Sequence, residues 1–182
     1  MNNKSAIITS SLHIIKGDIT SQDTDAIVNA ANPTLLGGGG VDGAIHRAAG
    51  TDLLLECKKI GGCNHGEARI TGAYNLPAQY IIHTPGPIYK NGKNNEALIL
   101  KNSYRNSLKL AYEHNLKSIS FPAISAGIYA YPLKEACKIA VDTVIDFLQE
   151  ISYTIDVYFV LFDEKNFNIY NDYINILKNE EL

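Results

Sequence analysis

Asp42 is a carboxylate in an unusual place. It follows four consecutive glycines, Gly37 to Gly40, and Val41, and it stands four residues before His46. A glycine run lets backbone N–H groups approach an anion, and the helix start that follows adds donors and a favourable dipole. A negative side chain beside such a loop opposes the anion electrostatically, so its presence asks for a reason. One reason is helix capping, worth ~1 kcal/mol. The other is chemistry: a carboxylate can act as a general acid or base, with no metal and no cofactor. His46 shares the helical face of Asp42, which suits support better than catalysis, because no Ser or Cys nucleophile motif accompanies the pair.

Two more clusters belong with this one. Ser125, Ala126, Gly127, Ile128 and Tyr129 form a second small-residue loop between an apolar strand and a long helix. Open α/β sheets bind ligands beyond the carboxyl ends of their strands, so two such loops can close on one diphosphate. Asn29 and Asn32 follow a strand in the run Asn29-Ala30-Ala31-Asn32; an asparagine before Pro33 also reads as a turn former. No GKS or GKT follows the glycines, and no GxGxxG with a distant acid occurs, which excludes a P-loop NTPase and disfavours a nicotinamide-binding domain. Cys57, Cys63 and His65 do not match a structural zinc spacing and lack an evident fourth ligand. With Cys137 the thiols are odd in number, which argues against a disulfide framework.

The elements that must position these residues alternate between short apolar runs and helix-period segments, the pattern of an α/β domain with a mixed sheet covered on both faces. Strands are expected at 12–15, 26–28, 68–71, 80–83, 119–121 and 155–162. The last is the most apolar and is expected to be buried on both faces. Helices are expected over 133–148 and 96–114, and after Asp163 with Tyr170, Tyr173, Ile174 and Leu177 inward. Another begins near Asp42, carries Ile45, Ala48 and Ala49 inward, and ends or breaks at Gly50. At 182 residues, with 46 % apolar and 19 % charged residues, the chain fits one globular domain. Its net charge of −3 offers no basic excess for nucleic acid, so any phosphate must be captured locally. The amino terminus has no signal-peptide pattern and no long apolar run follows, so neither a membrane nor export is expected and the location reads as cytoplasmic.

Longer segments now join these clusters: Gly17-Asp18-Ile19-Thr20, Asp25 to Asn32, Gly37 to Gly50, Gly66 to Pro77, Ile81 to Tyr89, and Phe121 to Pro132. In this order they resemble the MacroD branch of the macrodomain family over nearly the whole chain. The resemblance implies a single domain over 1–182, a three-layer α/β/α sandwich with a mixed central sheet and an ADP-ribose cleft across the strand ends. It implies that Asp18 accepts from the adenine amine beside the Ile19 backbone, and that Phe162 packs on adenine. Asn32, with Asn29 nearby, is implied to hold the distal ribose, and Gly37, Gly38, Gly39, Gly40 and Val41 with Ser125 to Tyr129 to hold the phosphates. It further implies that Tyr129 orders the distal ribose and that Asn32 and Asp42 carry the catalysis, supported by His46. The implied reaction is hydrolysis of an ester at the distal ribose, of O-acetyl-ADP-ribose or of mono-ADP-ribosylated Asp and Glu on proteins. A non-catalytic reader of ADP-ribose and an ADP-ribose 1''-phosphate phosphatase are the alternatives. For Asp18 a turn-capping role, and for Phe162 a core role, compete with the ligand roles. Small departures from the resemblance are Pro33 after the asparagines and Ser125-Ala126-Gly127 where many relatives have Ser-Thr-Gly.

Overall fold

The computed structural model describes residues 3–180. Six strands form one sheet in the order β1-β6-β5-β2-β4-β3. They are β1 (Leu12–Lys16), β2 (Ala26–Ala30), β3 (Arg69–Gly72), β4 (Tyr80–Thr84), β5 (Ser118–Phe121) and β6 (Asp156–Leu161). All neighbours are parallel except β3 against β4, so the sheet is mixed, as expected. The helices are α1 (Lys4–Ala6), α2 (Gly40–Ala49), α3 (Thr51–Ile60), α4 (Glu96–Glu113), α5 (Leu133–Glu150) and α6 (Glu164–Glu180).

Successive strand residues face opposite sides, and the two sides bury different helices. Ala26 and Val28 of β2, Ile82 of β4 and Phe159 of β6 join a core with Leu100 and Tyr104 of α4, Val141 of α5 and Tyr170 of α6. Ile27, Ile81 and Val160 point the other way, onto Ile45 and Ala49 of α2 and Leu53 and Cys57 of α3. This is a three-layer α/β/α sandwich. No helix of the described residues is long and apolar enough to cross a membrane.

The structure adds to and corrects the sequence reading. The helix near Asp42 does break at Gly50, whose φ of 93° suits glycine, but α3 follows at once and was not foreseen. Ala48 is exposed rather than inward, because Ile45 and Ala49 already fill the narrow stripe of α2 that meets the sheet. A π-helical turn over Ile7–Ser11 before β1, with Ile7 and Ile8 buried, was also missed. β6 is buried on both sides except at Asp156 and Tyr158, which are half-buried; Tyr158 stacks on His13 at 4.5 Å at the margin of the core under α2 and α3, and Phe162 lies past the strand end, exposed.

Candidate functional site

The carboxyl ends of β1, β2, β5 and β6 open on a cleft of about 690 Å³, a size suited to a small-molecule ligand. The charged side chains at its wall are Asp18, Asp42, Arg47 and Asp163, three carboxylates and one guanidinium. An anionic ligand there must therefore rely on backbone N–H groups more than on cations.

The first such group of donors is the glycine run. Gly39, not Asp42, is the residue preceding the first turn of α2, and no side chain caps this helix end. The first turn therefore keeps N–H groups without an intrahelical or capping partner, facing the cleft at Gly39, Gly40 and Val41. Gly43 lets the loop sit this close: a Cβ there would collide with the Gly38 carbonyl. The capping explanation of Asp42 is thus overturned, because the cap position is Gly39, three residues before Asp42.

Asp42 is 5 % exposed. Its Oδ1 accepts from Asn29 Nδ2 at 2.8 Å and lies 3.5 Å from His46 Nε2. The other oxygen, Oδ2, lies on the Gly38 side, 3.1 Å from where a Gly38 Cβ would stand, and Asn32 Nδ2 is 3.3 Å from that same point. Burial pushes the Asp42 carboxyl above its ordinary range, while the Asn29 bond and nearby His46 pull it back. Tyr129 stands at the same end of the cleft, its phenol pushed up by burial and by the Asp42 charge.

The second loop runs from Pro122 to Tyr131. Ser125 adopts φ 63° and Ala130 φ 56°, both left-handed, held by Tyr131 N–H donating to the Ser125 carbonyl at 2.9 Å. The Ser125 Oγ is buried with no protein partner among the described residues. Gly86 packs beneath: a Cβ there would run into Ser125 Oγ and Ile124 Cγ2. Ala126 lies in the cleft wall, while Gly127 and Ile128 are exposed at its rim, Ile128 at 97 %.

At the far end, Asp18 Oδ1 accepts from the Thr20 N–H at 2.9 Å and the Thr20 hydroxyl at 2.7 Å, capping the short turn Ile19–Ser21. Ile19 lies in the wall beside it. Phe162 is 80 % exposed, which removes its core role and leaves an aromatic face at the cleft mouth. Asp163 accepts from Asn166 through both oxygens, and these bonds hold its carboxyl below the usual range.

Most of the foreseen residues thus converge on one cleft, with two corrections. Asn29 is fully buried beneath Asp42 and does not line the cleft, because alternation along β2 turns it under α2 beside Ile27. Gly37 does not line it either; its carbonyl accepts from Asn32 Nδ2 at 2.8 Å, and a Cβ there would meet the His46 ring. Asn32 reaches the wall, but its Oδ1 accepts from the Thr34 N–H at 3.0 Å, so it also builds its own turn. Arg47, Gly86 and Asn166 were not foreseen as wall or support residues. The Pro85-Gly86-Pro87 run was the one available signal, since a glycine between prolines marks a close backbone approach. The thiols of Cys57 and Cys63 are pushed up to about 11, by burial first, and are ordinary protonated core groups.

Comparison with known proteins agrees with this geometry. A family model for the macro domain matches residues 28–140. A macro domain-containing protein of Chlorobaculum tepidum is 54 % identical over 87 % of this chain and 92 % of its own length. A protein of Escherichia fergusonii named O-acetyl-ADP-ribose deacetylase is 52 % identical over 89 % of this chain and 94 % of its own. Among solved structures, a variant of the Oceanobacillus iheyensis macrodomain with ADPR superposes with a TM-score of 0.87 at 46 % identity, covering 91 % of this chain and 92 % of that one. The Trypanosoma brucei macrodomain in complex with ADP-ribose gives a TM-score of 0.88 at 42 % identity, over 94 % of this chain and 72 % of that one. The mixed sheet, the two donor loops flanking one cleft and these likenesses lead to one conclusion: the chain belongs to the macro domain family.

Proposed function

We propose that this protein binds ADP-ribose in the cleft and hydrolyses an ester on the distal ribose, with Asp42 as the group that activates water. Adenine lies between Asp18 and Phe162, the diphosphate lies against the N–H groups of the two loops, and the distal ribose reaches Asn32, Tyr129 and Asp42. One observation carries the reading: Asp42 is buried beside an anion-binding loop, does no capping, and is fastened through Oδ1 while Oδ2 lies on the side of Gly38 and Asn32. Burial that raises its proton affinity strengthens it as a base.

In the reaction, water adds to the acyl carbon as its proton passes to Asp42. The tetrahedral intermediate then collapses, the acyl–oxygen bond to the ribose breaks, and the proton returns from Asp42 to the departing ribose oxygen. The products are a carboxylic acid and ADP-ribose. Relatives named O-acetyl-ADP-ribose deacetylase favour an acetyl ester as substrate. Removal of mono-ADP-ribose from Asp or Glu side chains uses the same bond cleavage and is the second substrate class. The test is incubation with O-acetyl-ADP-ribose and, separately, with a carboxylate-linked ADP-ribosyl protein, with products read by mass spectrometry. Release of ADP-ribose from either supports the hydrolase; binding with no turnover of either identifies a reader instead.

A further inference from the structure

Three polar side chains are buried on the sheet face beneath Asp42. Thr71 of β3, His83 of β4 and Asn29 of β2 lie on three adjacent strands and face the same side as α2, in line with their neighbours Ala73, Ile81 and Ile27. All three are buried, at 2 %, 0 % and 0 % exposure. Asn29 Nδ2 is 2.8 Å from Asp42 Oδ1 and 3.1 Å from His83 Nδ1, and His83 Nε2 is 2.9 Å from Thr71 Oγ1. The Thr71 hydroxyl in turn donates to the Gly72 carbonyl at 3.0 Å.

These contacts admit one arrangement of protons. An amide nitrogen has two hydrogens and no lone pair to offer, so Asn29 donates to both Asp42 and His83. His83 Nδ1 must then be bare, its single proton must sit on Nε2, and Thr71 Oγ1 must accept it. Turning the Asn29 amide over would set its oxygen against Asp42 Oδ1, two acceptors in contact. The orientation holds although Asn29 Oδ1 has no partner among the described residues. We propose that Thr71, His83 and Asn29 form a buried positioning chain that fixes one oxygen of Asp42 by a donated proton and leaves the other for water.

His83 can serve because it stays neutral: burial, with His46 nearby, pulls its pKa down to about 3. The other titratable groups that act on Asp42 are His46 on α2, Cys57 on α3 and Tyr129 on the second loop. None of these is part of the chain, although His46 also acts on His83, and all three stay in place in the Thr71 variants below. Thr71 is the informative position, since it is linked to Asp42 through two intervening side chains and lies outside the cleft wall.

The proposal rests on the hydrolytic reading of Asp42 only where activity is measured, so the primary test uses the protein without ligand. Ring-nitrogen shifts of His83 are expected to report the Nε2–H tautomer near neutral pH; the Nδ1–H tautomer would overturn the chain. Thr71→Val keeps a β-branched strand residue but removes the acceptor, which drives the His83 proton to Nδ1 and takes the acceptor away from Asn29. Titration of the Asp42 carboxyl carbon by NMR is expected to show its proton held about tenfold more tightly in Thr71→Val, the effect of losing a hydrogen bond to a charged group, with Thr71→Ser close to wild type. In the hydrolysis assay the acid limb of the kcat profile moves by the same factor, with KM little changed. An unchanged Asp42 titration in folded Thr71→Val overturns the positioning role whatever the activity does. Failure of the hydrolytic reading, by contrast, leaves the titration shift intact.

Discussion

Asp18 shows how the ligand role proposed for a side chain can sit beside a structural one. Its Oδ1 is taken by the Thr20 backbone and hydroxyl, so the turn role foreseen as an alternative is present, and Oδ2 is the oxygen left for an adenine amine. Calorimetry is expected to show ADP-ribose bound ~10- to 100-fold more tightly than its inosine counterpart, the worth of one charge-assisted hydrogen bond, and Asp18→Ala to lose that preference. Equal affinity of wild type for the two ligands would remove adenine from this end of the cleft. Asp42 makes a second prediction, about stability. Its folded-state pKa is raised by burial, so its proton favours the fold below the unfolded-state value, and that contribution is lost as pH rises through the folded value. Above the folded-state value the ionised carboxylate is therefore a cost, and there Asp42→Asn, which can still accept from Asn29, is expected to melt no lower than wild type. A residue kept only for the negative charge it places in the first turn of α2 predicts a lower melting temperature on loss of that charge.

The elements were legible wherever hydrophobic periodicity was long. All six strands and the three long helices α4, α5 and α6 lie where the apolar spacing puts them. α3 escaped because its buried stripe is only Leu53 and Cys57, interrupted by Glu56 and bounded by glycines at 50, 61 and 62. The donor loops were legible as glycine and small-residue runs after strands, but their bracing was not. Glu96 is an example: four backbone N–H groups, of residues 90, 91, 92 and 94, donate to it, and although burial alone would raise its pKa, its own backbone N–H with those of 94, 90 and 91 brings it to about 2. That clamp shapes the segment beginning at Tyr89, whose N–H donates to the Tyr129 carbonyl at 2.9 Å, and so supports the second loop from outside the cleft. Glu96→Gln is expected to speed amide exchange at Lys90, Asn91, Gly92 and Asn94 and to weaken ADP-ribose binding severalfold while the sheet amides stay protected. Exchange unchanged at those four amides would show that the clamp adds nothing. Gly38→Glu and Gly127→Glu, both at exposed loop positions, are expected to abolish binding in a folded protein, since bulk and charge both oppose a diphosphate.

For the whole molecule, a net charge of −3 and a cleft with three carboxylates mean that recognition is local and built from backbone donors. The same sheet that presents those donors buries a histidine, and this sets an acid limit. His83 falls from an ordinary 6.5 to about 3 on folding, so its contribution is full above 6.5 and is lost as pH falls toward 3, at ~1.4 kcal/mol per pH unit. Chemical denaturation from pH 7 to pH 4 is expected to show this slope for wild type and a flatter one for His83→Asn; equal slopes would place the acid sensitivity elsewhere. What the linear sequence displayed was the cleft wall, because loop residues lie in contiguous motifs. What it hid was the support, since Thr71, His83, Asn29 and Asp42 come from four separate segments and meet only when β3, β4, β2 and α2 are assembled. Asn29 was legible as a functional position but was placed in the cleft, whereas strand alternation puts it underneath. The claim on which the account turns is that Asp42 activates water. The direct measurement is the turnover of O-acetyl-ADP-ribose by Asp42→Asn beside wild type, with ADP-ribose affinity measured on the same samples. The account predicts a rate ~100- to 10,000-fold lower with affinity equal or somewhat higher, because a group acting in the transition state is lost and a charge near the diphosphate is removed. Turnover by Asp42→Asn at the wild-type rate would contradict it.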